Sequence, residues 1–265
     1  MKNTLRRITP VALVLVALTT LSFMAKDGVT LRLKPQQGKT CTITSKANMM
    51  TMMEVQGQTM NMTQNMETRQ TFTPKSVTAT ETLIDTQIEA IKMTISQMGM
   101  KLEYDSEHPE KTSPMLAGQT AEMDKVIKKT ESVRYDNMGH IVDSLNLKMS
   151  QLSAAIIQLP EHELTVGSTW SVDKNQSVSG TEMSVHYTYT VAAISKKSVN
   201  LTVAGTVTGK GSGEISGSYN GTASINPQTG MVTSSSMKQN ISMTMNEQGM
   251  SIPMTIVGNT TVEVK

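Results

Sequence analysis

One cysteine, Cys41, is all that the 265 residues of this chain contain. It cannot close an internal disulfide, so stability has to come from burial alone. Aromatic residues are scarce as well, with one Trp, five Tyr and two Phe, and the core must be filled with other side chains. The four histidines, His108, His140, His162 and His186, form no His-Glu-x-x-His motif and no pair at helical ligand spacing, so no zinc site is written in the chain. No Gly-x-Ser-x-Gly elbow occurs, and Cys41 lies in a strand-like segment, not at a helix start. Gly209-Lys210-Gly211-Ser212-Gly213 lacks the Gly-Lys-Ser/Thr ending of a phosphate loop and reads as a hairpin tip. Glu161-His162-Glu163 follows Pro160 in a connector, where charges are ordinarily solvated. With carboxylates scattered and no acid–base pair, the residues point away from an enzyme and imply no cofactor and no metal.

Long hydrophobic runs are missing except near the start. Lys2, Arg6 and Arg7 precede the apolar run Val11 to Leu18, and small and apolar residues continue to Ala25. This is the layout of a secretory signal over residues 1–25, too short for a span of about 20 residues. No cysteine closes the run, so a bacterial lipoprotein signal is not expected. Removing the segment takes away three positive charges and lowers the formal charge from +2 to about −1. A near-neutral chain is a poor match for nucleic acid or an anionic membrane. The expectation is an exported protein, in the periplasm or outside the cell, with no membrane span after cleavage.

What the chain has in quantity is methionine, 23 residues, many on every second position of Thr- and Ser-rich segments. Met60, Met62 and Met66 share a parity, as do Met243 and Met245, and Met250 and Met254. Alternate side chains of a strand point to opposite faces, so the pattern describes sheet with one face surfaced by thioethers. Such a face can be plain core, an adaptable apolar binding surface, or a Cu(I) site. Met49, Met50, Met52 and Met53, with Met60, Met62 and Met66 across the Gly57 hairpin, are the densest group. Neighbouring methionines there face opposite ways, which weakens the copper reading.

Past the signal, residues 26–265 read as one β-rich domain: strands over 29–104, a helical segment over 114–159 enclosing a strand pair, and strands over 168–264. Ser113-Pro114 opens one helix, with Leu116, Met123 and Ile127 on a common face. Leu145, Met149, Leu152, Ile156 and Leu159 recur at helical spacing and predict a second helix ending at Pro160. A change of parity at Gln97-Met98-Gly99 requires an even loop or a bulge. From Val199 to Ile225 every odd position is apolar, glycine or tyrosine, and every even one except Ala204 is polar. That stretch would extend about 90 Å, so it must fold back through an odd loop, best at Lys210-Gly211-Ser212. Glycines 205, 209, 211, 213, 217 and 221 all fall on its apolar face, which suits a bent sheet or close approach of a covering element. The expected fold is mainly β with minor α: a long curved antiparallel sheet, open or half-barrel, with two short helices on its apolar face.

Three stretches also carry a resemblance. Leu102-Glu103-Tyr104-Asp105-Ser106-Glu107 follows a Met-rich hairpin, Leu159-Pro160 leads into Leu164-Thr165-Val166-Gly167-Ser168-Thr169-Trp170, and Asn226-Pro227-Gln228-Thr229-Gly230-Met231-Val232 precedes a Met-rich strand pair. Together they resemble an uncharacterised exported, often lipoprotein-like family of Gram-negative bacteria, a domain of unknown function of the DUF6263 type. The resemblance implies an envelope location and brings no catalytic residues. In architecture alone the layout is similar to periplasmic lipoprotein carriers, which shelter acyl chains between sheet and helices.

The function expected is therefore that of a non-enzymatic envelope protein binding a lipid or other apolar ligand between sheet and helices. Met243, Met245, Met250, Ile252, Met254 and Ile256 would line the sheet side, with Leu152 and Ile156 on the helix side. The alternatives are a structural or interaction module with an envelope protein as partner, or a methionine-based Cu(I) site. Export is directly testable: cleavage after Ser22 or Ala25 leaves Phe23 or Lys26 as the first residue, which intact-mass measurement of the secreted protein reads. Retention of residues 1–22 would refute it.

Overall fold

The computed structural model describes residues 28–55, 57–144, 155–178, 181–210, 213–247 and 250–265. The expected signal segment lies outside them. Twelve strands form one antiparallel sheet: β1 (Cys41–Val55), β2 (Gln58–Val77), β3 (Glu81–Gln97), β4 (Met100–Asp105), β5 (Thr130–Asp136), β6 (Ile141–Ser144), β7 (Thr169–Val178), β8 (Thr181–Ile194), β9 (Val199–Lys210), β10 (Glu214–Ile225), β11 (Val232–Glu247) and β12 (Met250–Val264). Their order is β6-β5-β3-β2-β1-β12-β11-β10-β9-β8-β7, with β4 beside β5 along the same side of β3. The sheet stays open, because β6 and β7 at its two ends do not meet.

Two meanders make this order, one from each half of the chain, and the β1–β12 pair joins them. Eleven residue pairs, from Ile43 opposite Val264 to Met53 opposite Met254, carry that junction. The expected parities hold across it. Met66, Met93 and Tyr104 lie in one cross-strand row on β2, β3 and β4. Gln97 stands opposite Met100, and the two-residue loop between them has Met98 at φ +51° and Gly99 at φ +80°. Positive φ at both positions is the geometry that suits the twist of a tight hairpin. The even loop keeps Gln97 and Met100 on one face and so accounts for the parity change. In the β9–β10 hairpin Lys210 faces Glu214, an odd loop one place later than expected.

The glycines bring strands together on the apolar face. A Cβ at Gly221 would fall onto the Ser236 carbonyl oxygen and within 2.6 Å of Met237 Sδ, and one at Gly217 would sit 2.8 Å from Ile241 Cα. At Gly258 it would lie 2.6 Å from Asn48 O and 3.0 Å from Met49 Cγ. The neighbouring strand leans in over each glycine, bending the sheet toward its covered side.

The two helices expected on that side are the main departure. The first survives as a short piece, α1 (Ala117–Asp124), preceded by a 3-10 turn at Pro114–Leu116. Leu116 and Met123 of this unit pack on Ile88, Ile91, Met93 and Tyr104 at one end of the sheet. Of the second, Leu145 to Ala154 lie outside the described residues, and Ala155 to Leu159 are not helical. Their backbone groups go to other partners: Ala155 O accepts from Val232 N at 2.9 Å, Leu159 N donates to Met138 O at 2.8 Å, and Gln158 O accepts from Trp170 Nε1 at 3.0 Å. Pro160 then stops any continuation.

Extended straps do the covering. Val29, Leu31 and Leu33, expected to open a strand, make only the Val29–Leu164 bridge. Leu31 and Leu33 are nonetheless fully buried. Leu33 N donates to Asn137 O and Lys34 N to Thr229 O, tying the strap to two turns. Two clusters form beneath. Leu31, Leu159 and Leu164 pack with Trp170, Val191, Leu201 and Ile225, while Leu33 and Ile156 pack with Ile43, Phe72, Ile84 and Tyr135. At about 1.5–3 kcal/mol per buried aliphatic side chain, these straps contribute substantially to stability.

The bent rows set the mutational expectation. Gly221→Ala should lower stability by about 1–3 kcal/mol through overpacking, while Ser216→Ala, on the exposed opposite face, should stay within about 0.5 kcal/mol. Urea unfolding of both variants checks this, and equal effects would contradict the close approach.

Candidate binding cleft

Register assembles the cleft. Tyr187 on β8 stands opposite Gly205 on β9, which stands opposite Tyr219 on β10 and then Gln239 on β11. A Cβ at Gly205 would sit 2.9 Å from the Tyr187 ring. Without one, the Tyr187 and Tyr219 rings meet over the glycine with centroids 5.6 Å apart. The next row begins with Trp170 stacked on Tyr189 at 5.0 Å and continues through Val203, Gly221 and Met237. Aromatic pairs of this kind contribute about 0.5–1.5 kcal/mol beyond their buried area.

Between these rows and the strap residues Ile156 and Ile157 lies a cavity of about 270 Å³. Its walls are largely apolar or aromatic, with Ser235, Gln239 and Thr260 adding polar groups. Lys174 of β7 is the charged residue among the described lining. It faces this side because it stands opposite Val185, which is buried with Val207 and Ile241. Lys174 is exposed by surface area, yet the protein packed around it lowers its pKa from the ordinary value through desolvation. The three phenols shift the other way. Burial pushes Tyr187 up to about 12, the Tyr219 hydroxyl adding to the effect, and it raises Tyr189 and Tyr219 too. None of the three hydroxyls hydrogen-bonds to a described residue.

Of the eight residues expected to bind a ligand, Ile156 is the one found among the described lining of this cavity. It is 6% exposed and belongs to the core around Phe72 and Ile84. Met243 faces Met254, Met245 faces Ile252, and Ile256 faces Ile241, as one-sided alternation requires. These pairs lie nearer the hairpin tips, where Met243 and Ile256 pack beside Val185, Val207 and Ile241. Met250 pairs with Glu247 at the very end of the strands. Leu152 lies outside the described residues. Met243 thus shares the covered face with this cavity and stands two rows along β11 from Gln239. The signal for this cavity is the shared parity of Tyr187 and Tyr219 with Gly205, which stands between them.

The dense methionine group divides as its parity requires. Met53 faces Met60 and Met62 faces Thr51 on the covered side, while Met50 and Met52 belong to the opposite face. Thioethers on the covered side accept hydrogen bonds from amides: Gln239 Nε2 donates to Met49 Sδ at 3.5 Å, and Gln64 Nε2 to Met93 Sδ at 3.3 Å. The histidines are dispersed. His140 closes the β5–β6 turn on Asp136 at 2.7 Å, His186 meets Asp173 at 2.7 Å on the exposed face, and His108 lies by Glu110. Among the described residues no three His, Cys, Asp or Glu side chains gather as a metal site would require. No described helix is long and apolar enough to cross a membrane.

The raised phenol makes a prediction with a definite sign. Tyr187 titrates near 10 when unfolded and near 12 in place. Its neutral form is favoured by the fold, so its contribution is complete below pH 10 and is lost as pH climbs toward 12. Tyr187→Phe should flatten the fall in stability between those values. An unchanged alkaline profile in urea unfolding would refute the assignment.

No curated protein matches the chain. Among solved structures it is similar to lipovitellin, from a study of its lipid–protein interactions, at 11% identity and a TM-score of 0.38, over 87% of this chain and 25% of that one. The chain thus spans about a quarter of the lipovitellin chain. A second likeness is to an outer membrane channel from Pseudomonas putida F1, at 8% identity and a TM-score of 0.27, over 87% of this chain and 97% of the channel. Likenesses this distant carry no argument about function. The Leu102–Glu107 motif lies outside the span that a family model matches. That span bears out the resemblance read from the remaining motifs: residues 146–265 match DUF6263, a family of unknown function.

Proposed function

We propose that this protein is a non-enzymatic exported envelope protein that holds a lipid-like or other apolar small molecule in the cleft between β8–β11 and the Ile156–Ile157 strap. The observation that carries the reading is the cavity of about 270 Å³ bordered by three tyrosines whose hydroxyls have no partner among the described residues. None of the three hydroxyl oxygens is sealed in the core without a partner; they open onto the cleft, where a guest can take their hydrogen bonds. Apolar walls with a few convergent polar groups are the usual make-up of a small-molecule site. The volume lies just below the usual range of such sites, about 300–1,000 Å³, which suits a single slender guest. The export part of the proposal rests on the N-terminal signal pattern. The methionines enter as adaptable filling along the same face, able to repack as a guest comes and goes.

Filling the cavity tests the reading. Ser235 lines the cleft and is partly buried. Ser235→Phe should weaken uptake of the neutral fluorophore 1-aminoanthracene at least tenfold while the thermal midpoint moves by only a few degrees. Native mass spectrometry of gently purified protein should in parallel detect an apolar molecule that the variant has lost. Wild-type protein that takes up neither fluorophore nor native ligand would sink the proposal.

A further inference from the structure

Lys174 has no structural task that the described residues reveal. It stands on β7 at the end of the sheet, on the covered face, and borders the cleft together with Tyr187 and Tyr219. It forms no ion pair and no side-chain hydrogen bond with a described residue. No Asp or Glu is found among the described residues lining the cavity. Its chain neighbour Asp173 belongs to the opposite face, where it is engaged with His186 at 2.7 Å. Several other lysines on the sheet are matched: Lys46 with Glu67, Lys75 with Asp85, and Lys92 with Asp105 and Glu107. Those pairs lie on the outer side. On the covered side the positive charge faces a cavity without a counter-charge, next to phenol hydroxyls and the Gln239 amide that are able to donate hydrogen bonds.

We propose that the guest of this cleft is a single-chain amphiphile with an anionic head group, a carboxylate or a phosphate monoester, and that Lys174 is the counter-charge that binds it. The inference rests on the cleft reading above and adds the class of ligand. The apolar chain lies along the Val203, Ala223 and Ile156 side, and the head group sits toward β7, within reach of Lys174. Lys174 is an exposed residue at the edge of the cleft, and a charge-assisted contact is about twice as strong as a neutral one. A preference of about tenfold for an anion over a neutral molecule of equal length follows from one such contact.

The test uses displacement of 1-aminoanthracene at neutral pH by three ligands with the same chain: dodecanoate, monododecyl phosphate and dodecanol. Wild-type protein should bind at least one anion about tenfold more tightly than dodecanol, and whichever anion is preferred identifies the head group. Lys174→Met should abolish that preference while leaving dodecanol affinity intact, and Lys174→Arg should restore it. A wild type that does not distinguish anions from dodecanol, or a preference that survives in Lys174→Met, overturns the inference and leaves the cleft reading standing. Failure of all three ligands to displace the fluorophore from wild-type protein overturns both.

Discussion

Cross-strand register is the constraint on which everything else in this protein depends. Twelve antiparallel strands can share one covered face only if every hairpin preserves the parity of its apolar positions, because a slip of one residue turns a whole strand inside out. The two-residue loop at Met98-Gly99 and the odd loop after Lys210 each do this locally. The β1–β12 pair does it over the longest distance in sequence, setting Ile43 beside Val264 so that the two meanders present a common surface. With this register in place, glycine, tyrosine and methionine fall into rows that cross many strands.

Those rows explain how a chain poor in aromatics builds an aromatic wall. All five of its tyrosines and its one tryptophan are either in the core or beside the cleft. Gly205 lets two of them touch across an intervening strand. Gly221 and Gly258 do the same for Met237 and Met49. The glycines that would weaken an isolated strand thus allow bending and close packing in the assembled sheet. Among the described residues the face is then covered mainly by extended straps, with one short helix at the β3–β4 end. A strap has no internal hydrogen-bond ladder, so its groups bond to turns and to Trp170, which fixes Ile156 and Ile157 above the sheet.

Strand positions and faces were legible in the sequence because alternation is a local property with a period of two. Val199 to Ile225 and Met250 to Val264 show it residue by residue. The helix expected over Leu145 to Leu159 fails at its C-terminal end for an equally physical reason. Spacing of Ile156 and Leu159 satisfies a helical face, but their neighbours bond to Val232, Met138 and Trp170, partners that are distant in sequence. The ligand residues expected from methionine share the face of the Tyr187–Tyr219 cavity and stand at another height. Parity gives the face of a sheet, and only the register of strands far apart in the chain gives the row.

The cleft itself belongs to the second kind of information. Lys174 and Tyr219 are separated by three intervening strand pairings, and Ile157 reaches them from a strap with no strand pattern of its own. What the sequence by itself determined was an antiparallel β protein with one apolar, methionine-rich face, because side-chain direction along a strand follows from chain geometry alone. The tertiary structure decided which tyrosines meet, that Lys174 borders the cleft without a partner among the described residues, and where that cleft lies. Those outcomes depend on strand order and strap position, which are set by the packing of residues far apart along the chain.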